Sequence, residues 1–128
     1  MIDKEKLIKK VLDCAMAVRK ALLPGYLEKV YENALMIELS KNGISAEQQV
    51  RLEVFYDGKK VGDYTADILV EKCLILEIKA TQHIDKSHEA QLVNYLRTTN
   101  IEDGILINFG SSDKLEIKRK FRDYIKTN

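Results

Sequence analysis

Three charged residues stand inside apolar stretches where charge is costly. Asp67 lies in Val61-Gly62-Asp63-Tyr64-Thr65-Ala66-Asp67-Ile68-Leu69-Val70, and Glu77 and Lys79 lie in Cys73-Leu74-Ile75-Leu76-Glu77-Ile78-Lys79-Ala80. Removing an ion from water costs several kcal/mol unless it is well paired. Two carboxylates about 4 Å apart also repel by about 4 kcal/mol at an effective dielectric of about 20. A divalent cation reverses the sign of that interaction, whereas Lys79 alone offsets it only in part. The chemistry such a trio supports is capture of a hard, oxygen-seeking cation with an ammonium beside it.

The two stretches are aliphatic and β-branched and too short for typical helices, which predicts an antiparallel pair of strands. Alternation puts Ile75, Glu77 and Lys79 on one face and Leu74, Leu76 and Ile78 on the other. Asp67 can share a face with Glu77 only if partner numbers sum to an even value, with 67 opposite 77 and 70 opposite 74. The connection is then expected to be the odd loop Glu71, Lys72 and Cys73, or a bulge that does the same job. A two-residue turn would throw the carboxylates onto opposite faces, because a one-residue slip inverts the facing.

At 128 residues the chain is expected to form one domain, residues 1–128, with a single core. A hydrophobic fraction of 45% with 32% charged residues is that of an ordinary globular protein. No apolar run approaches the roughly 20 residues of a membrane span. The opening Met1-Ile2-Asp3-Lys4-Glu5-Lys6 carries both signs of charge and does not read as a signal peptide, so a cytoplasmic location is expected. Cys14 and Cys73 are far apart on apolar faces and read as reduced thiols, with no zinc or redox spacing. A net charge of +1 requires any nucleic-acid contact to come from a local patch.

Apolar residues at Leu7, Val11, Cys14 or Ala15, Val18 and Leu22 predict a first helix from Asp3 to about Leu22, broken by Pro24-Gly25. A second runs from near Leu27 through Val30, Tyr31, Ala34, Leu35 and Leu39 to Asn42-Gly43. Near its start Glu32 reads as an acid complementing the helix dipole. Glu28, beside Leu27 and Tyr31 in projection, leaves both that role and a lean toward the sheet open. Gln48 to Phe55 alternates as a strand with Val50, Leu52 and Val54 on one face, and Tyr56-Asp57-Gly58-Lys59 is a hairpin turn into the Asp67 strand. After a polar loop, a third helix is expected from about Ser87 to Thr98, with Ala90, Leu92, Val93 and Leu96 apolar and His88, Gln91 and Tyr95 on a mixed stripe. Ile105 to Phe109 reads as a last strand, parallel to a meander strand because a helix precedes it. Ser111 to Asn128 is a basic tail carrying Lys114, Lys118, Arg119, Lys120, Arg122 and Lys126.

Helices, three antiparallel strands, a helix and a strand, with Asp on the second strand and Glu-x-Lys on the third, resemble the PD-(D/E)XK nuclease superfamily from about Gly25 to Phe109. Within it the chain is similar to the GxxExxY family, whose motif stands here as Gly25-Tyr26-Leu27-Glu28-Lys29-Val30-Tyr31, joined by Ala66-Asp67, Glu77-Ile78-Lys79 and Gln91-Leu92-Val93-Asn94-Tyr95-Leu96. The resemblance implies an α/β (α+β) fold with a restriction-endonuclease-like core. It implies that Asp67, Glu77 and the backbone carbonyl of Ile78 bind Mg2+ or Mn2+, and that Lys79 assists the attacking water or stabilises charge at phosphorus. Glu28 would complete the acidic cluster directly or through water, and Gln91 would hold Lys79 or a phosphate. The implied reaction is hydrolysis of a DNA strand. Ala66 stands where the superfamily's name has proline, a position that shapes backbone and binds no metal.

His83 and His88 read as solvated, Tyr31 and Tyr95 as packing residues with hydrogen-bonded hydroxyls, and the tail as either a solvated face or a phosphate-contacting patch. Three functions remain open: a metal-dependent deoxyribonuclease, a non-cleaving nucleic-acid-binding module, and an interaction subunit using its helical hairpin. Little chain is left for sequence recognition. Specific cleavage would therefore need dimerisation, a larger complex or structure-selective binding.

Overall fold

The computed structural model describes residues 2–122. Helix α1 spans Lys4–Ala21 and α2 Glu28–Lys41; strands β1 (Ala46–Tyr56), β2 (Lys59–Val70) and β3 (Leu74–Lys79) follow, then α3 (Lys86–Thr99), β4 (Asp103–Asn108) and β5 (Glu116–Phe121). The strands form one mixed sheet in chain order, antiparallel throughout except for the parallel pair β3–β4. This is the α+β arrangement of a restriction-endonuclease-like fold, with the expected meander, helix crossover and parallel strand in place.

Local chemistry explains the boundaries. Asp3 caps α1 by accepting from the Lys6 N–H, and Asp85 caps α3 by accepting from the Ser87 and His88 N–H groups, while His88 Nδ1 accepts from the Asp85 N–H. His88 is thus spent on the cap. At the β1–β2 turn Asp57 and Gly58 take φ of 53° and 74°, the left-handed pair that matches strand twist.

The sheet has an apolar layer on each side. Leu7, Val11, Val18, Tyr31, Leu35 and Leu39 from α1 and α2 pack with Leu74, Leu76 and Ile78 of β3. Leu92 and Leu96 of α3 pack on the other side with Ile75 and Leu106. The predicted alternation of β3 is therefore realised, with Glu77 on the α3 side. Two helix faces differ from expectation. Leu27 and Val30 are 81% and 38% exposed, and the inward residues of α2 are Tyr31, Glu32, Leu35 and Leu39. Ala90 is exposed on α3, whose buried residues are Leu92 and Leu96.

Part of the predicted basic tail, Glu116–Phe121, is an edge strand. β5 pairs antiparallel with β4, a role hidden in sequence because the burial of Glu-Ile-Lys-Arg-Lys-Phe does not alternate and most of its residues are charged. Arg119 joins buried Asp103 at 2.7 Å and Glu5 at 2.9 Å, and Lys120 joins Glu89 at 2.7 Å. Arg119 and Lys120 are thereby spent on intramolecular pairs. Lys126 lies outside the described residues.

Tyr31, the last residue of the GxxExxY motif, is fully buried and stacks on Phe109 with centroids 4.9 Å apart. Its hydroxyl donates to the Leu23 carbonyl at 2.7 Å and accepts from the Tyr26 N–H at 3.1 Å, closing the α1–α2 turn. Tyr31→Phe is expected to keep the stack yet leave both backbone groups unpaired. Urea unfolding should show a loss of about 1–2 kcal/mol.

Candidate active site

Strand pairing brings the two acids together. Val70 lies opposite Leu74, Leu69 opposite Ile75 and Ile68 opposite Leu76, so the connection is Glu71, Lys72 and Cys73, the odd loop that the facing requirement demands. Glu71 and Lys72 take φ of 49° and 58° to close it. Continued by one residue, the register sets Asp67 opposite Glu77. There the ladder gives way to carboxylate bonds: the Ile78 N–H donates to Asp67 Oδ2 at 2.8 Å, and the Asp67 N–H donates to Glu77 Oε2 at 3.0 Å. Each carboxylate is held by the opposing strand's main chain through one oxygen. Among the described residues, Asp67 Oδ1 and Glu77 Oε1 accept no hydrogen bond.

Among the described residues, neither carboxylate has an ion-pair partner within 4.0 Å. Burial raises the Glu77 pKa to about 7, with the Asp67 charge adding to the shift. Asp67 is raised too, first by burial, against the Ile78 N–H, with Glu32 and Glu28 repelling it from α2. Lys79 lowers both only weakly; it is half-buried and makes no hydrogen bond to either acid.

Surrounding contacts hold this end of β3. The Phe109 N–H donates to the Lys79 carbonyl at 2.9 Å. Fully buried Asn108 accepts from the Thr81 and Gly110 N–H groups and donates to the Thr81 carbonyl and Glu116. A Cβ on Gly110 would collide with the main chain of Ala80 and Thr81, so glycine lets the two segments touch just beyond Lys79.

The remaining sequence-predicted residues divide. Glu28 is exposed, so α2 turns a different acid inward. Glu32 is 3% exposed and accepts from Lys29 at 3.0 Å, Gln48 at 2.7 Å and Gln49 at 3.1 Å. The helix-dipole reading of Glu32 is corrected accordingly: it is a buried clamp between α2 and β1. Gln49 sits at φ 52°, and the Gln49–Asp67 pair is missing from an otherwise unshifted register from Ala46 to Val54. Across this point β2 changes sides, with Tyr64 and Ala66 in the α3 layer and Ile68 and Val70 in the α1–α2 layer. Asp67 is thus placed at a twist in the sheet. Gln91 is exposed, and no hydrogen bond joins it to Lys79.

Sequence reasoning missed Tyr64, whose buried hydroxyl donates to Glu77 Oε2 at 2.8 Å. Burial, with the Glu77 charge, pushes its pKa far above the ordinary value, so it stays a donor. The available signal was its place three residues before Asp67, in a strand otherwise read as aliphatic.

Among the described residues no group of three or more His, Cys, Asp or Glu side chains is arranged to hold a metal ion. The donor set is two carboxylates, each with one oxygen tied and one disengaged. That set suits a magnesium-like ion, which keeps several waters and needs only one or two protein carboxylates. No helix among the described residues is long and apolar enough to cross a membrane.

No curated protein matches the chain. The solved structure of SSO0001 is similar with a TM-score of 0.59 and 24% identity, over 76% of this chain and 50% of that one. The chain spans half the length of that structure, and at this identity the likeness speaks for the fold alone. The PD-(D/E)XK nuclease superfamily matches residues 5–120, a span that takes in α2, the Asp67–Glu77 strand pair and all but the last residue of β5. With that match laid over a mixed sheet holding half-buried Asp67, buried Glu77 and a lysine, the chain belongs to the PD-(D/E)XK nuclease superfamily.

Proposed function

We propose that this chain is a metal-dependent nuclease that hydrolyses DNA phosphodiester bonds, in the manner of the GxxExxY family, as a single catalytic domain over residues 1–128. The observation that carries the reading is the Asp67–Glu77 pair, Glu77 buried and Asp67 half-buried, without a cationic partner among the described residues and with the Glu77 carboxylate pushed up to about 7. PD-(D/E)XK nucleases typically use divalent metals, and Mg2+ or Mn2+ fits this donor set. Asp67 Oδ1 and Glu77 Oε1, with the Ile78 carbonyl, would hold it, and Glu28 would act through water from the exposed end of α2. Once bound, the ion would lower the pKa of its water and offset charge on the phosphodiester.

The chain's own groups do the rest. Lys79, two residues beyond Glu77 on the same face, positions the attacking water or a phosphate oxygen. Its main chain is held by Phe109, and the Asn108–Thr81 contacts brace the residues that follow, which limits drift of the ammonium. The exposed Gln91 is proposed to meet substrate phosphate from α3. The expected location is cytoplasmic and the expected partner is DNA, with a homodimer or larger complex supplying any sequence specificity.

Cleavage of plasmid or single-stranded DNA with manganese, run beside Glu77→Ala, tests the assignment. Metal-dependent products from the wild type alone would support it. Salt-sensitive binding without cutting on any substrate would replace it with a non-cleaving binding module.

A further inference from the structure

The α3 side of the site contains an aromatic assembly that the proposed chemistry does not use directly. Tyr64 on β2 stacks on Tyr95 of α3 with ring planes 16° apart. Tyr64 is 8% exposed and belongs to the α3-side core with Leu92 and Leu96. Its hydroxyl has one protein partner among the described residues, Glu77 Oε2 at 2.8 Å. The same oxygen accepts from the Asp67 N–H at 3.0 Å. Two donors from β2 therefore fix one oxygen of Glu77 and leave Oε1 as its only disengaged atom.

We infer that Tyr64 is a positioning residue that orients the Glu77 carboxylate for the metal, and that Tyr95 of α3 acts through it. This rests on the reading of Glu77 as a ligand. A glutamate has three side-chain torsions, and the β2 amide alone leaves the carboxylate free to pivot about a single bond. The phenol supplies a second anchor, and its rigid ring cannot swing away while Tyr95 covers it. Groups that hold metal ligands in this way typically account for roughly 10- to 100-fold in metal affinity. The helix thereby gains a function beyond packing: it sets the angle of an acid on the opposite strand pair.

Calorimetric titration of the full chain with manganese tests this, using wild type, Asp67→Asn, Tyr64→Phe, Tyr95→Leu and the double variant. Tyr64→Phe keeps the ring and is expected to weaken manganese binding roughly 10- to 100-fold while thermal melting confirms a folded protein. Tyr95→Leu is expected to weaken it less, and to add under about twofold in the Tyr64→Phe background, because the stack matters only through the hydroxyl. A general packing defect would instead cost the same in both backgrounds. Wild-type affinity in Tyr64→Phe, or equal costs of Tyr95→Leu in the two backgrounds, overturns the inference. Should Tyr64→Phe not fold, Tyr95→Leu decides alone, with at least a threefold loss in support and wild-type affinity against. A wild type that takes up no manganese and is indistinguishable from Asp67→Asn removes the ligand reading itself, a result separable from failure of Tyr64 alone.

Discussion

Asp67→Asn is expected to slow manganese-dependent DNA cleavage by about 10³-fold, equivalent to about 4 kcal/mol of transition-state stabilisation. The asparagine side chain has the same shape, and its Oδ1 can still accept from the Ile78 N–H, so the strand junction survives. What it lacks is charge. Two carboxylates two strands deep in a sheet attract a divalent ion because each would otherwise repel the other, and removing one charge removes both the repulsion and the reason to bind. Calorimetry should show manganese affinity largely lost in the same variant, with circular dichroism unchanged. Cleavage within tenfold of wild type would show that the paired acids are not the metal site.

Glu77→Gln should stabilise the metal-free protein at neutral and alkaline pH by up to about 3 kcal/mol. The folded chain binds the Glu77 proton with a pKa of about 7, against 4.5 for an ordinary glutamate. Between those values the native state holds a proton that the unfolded chain has released, so stability falls as the pH rises through that window. Below it the penalty is absent; above it the penalty is complete, near 3 kcal/mol at 1.36 kcal/mol for each pH unit. Asp67 acts with the same sign, its pKa also being raised. Glu5, Asp63, Asp85 and Glu116 have lowered values and act with the opposite sign, but below their ordinary pKa values in the acid range. Thermal melts of wild type from pH 5 to pH 8 should therefore decline in chelator, and those of Glu77→Gln should stay nearly level. Manganese should raise the wild-type melting temperature at pH 8 and leave the variant unmoved. A wild-type curve that rises across this window would contradict the buried, uncompensated state of Glu77.

The two expectations share a cause, which is that burial without a partner makes the site unstable when empty. The fold tolerates the cost because the carboxylates accept main-chain N–H groups at the point where the β2–β3 ladder ends. Such strain at functional positions is usual where surrounding structure is well determined. Here α1, α2 and α3 supply that structure from both sides of the sheet.

Much of this was legible in the residues alone because it depends on near neighbours. Alternation in Leu74 to Lys79, the Asp57-Gly58 turn and the Pro24-Gly25 break each express local backbone preference, and they located two helices, the meander and its register. The facing of Glu77 follows from period-two geometry and needed no tertiary information. β5 was hidden because its pattern is mixed and its contacts are long-range: it pairs with β4, and its Arg119 joins Lys4 at buried Asp103.

What the chain determined by itself was the order and type of most elements and the acids and lysine that β2 and β3 carry. Only the tertiary structure decided that α2 turns Glu32 inward and leaves Glu28 exposed, that Gln49 twists the sheet beside Asp67, and that Tyr64 grips Glu77. The physical reason is that burial and hydrogen-bond partners are properties of packed surfaces. Glu32 meets Gln48 and Gln49 across 16 and 17 residues of chain, and Tyr64 meets Glu77 across 13, distances over which no helical or strand period constrains a side chain.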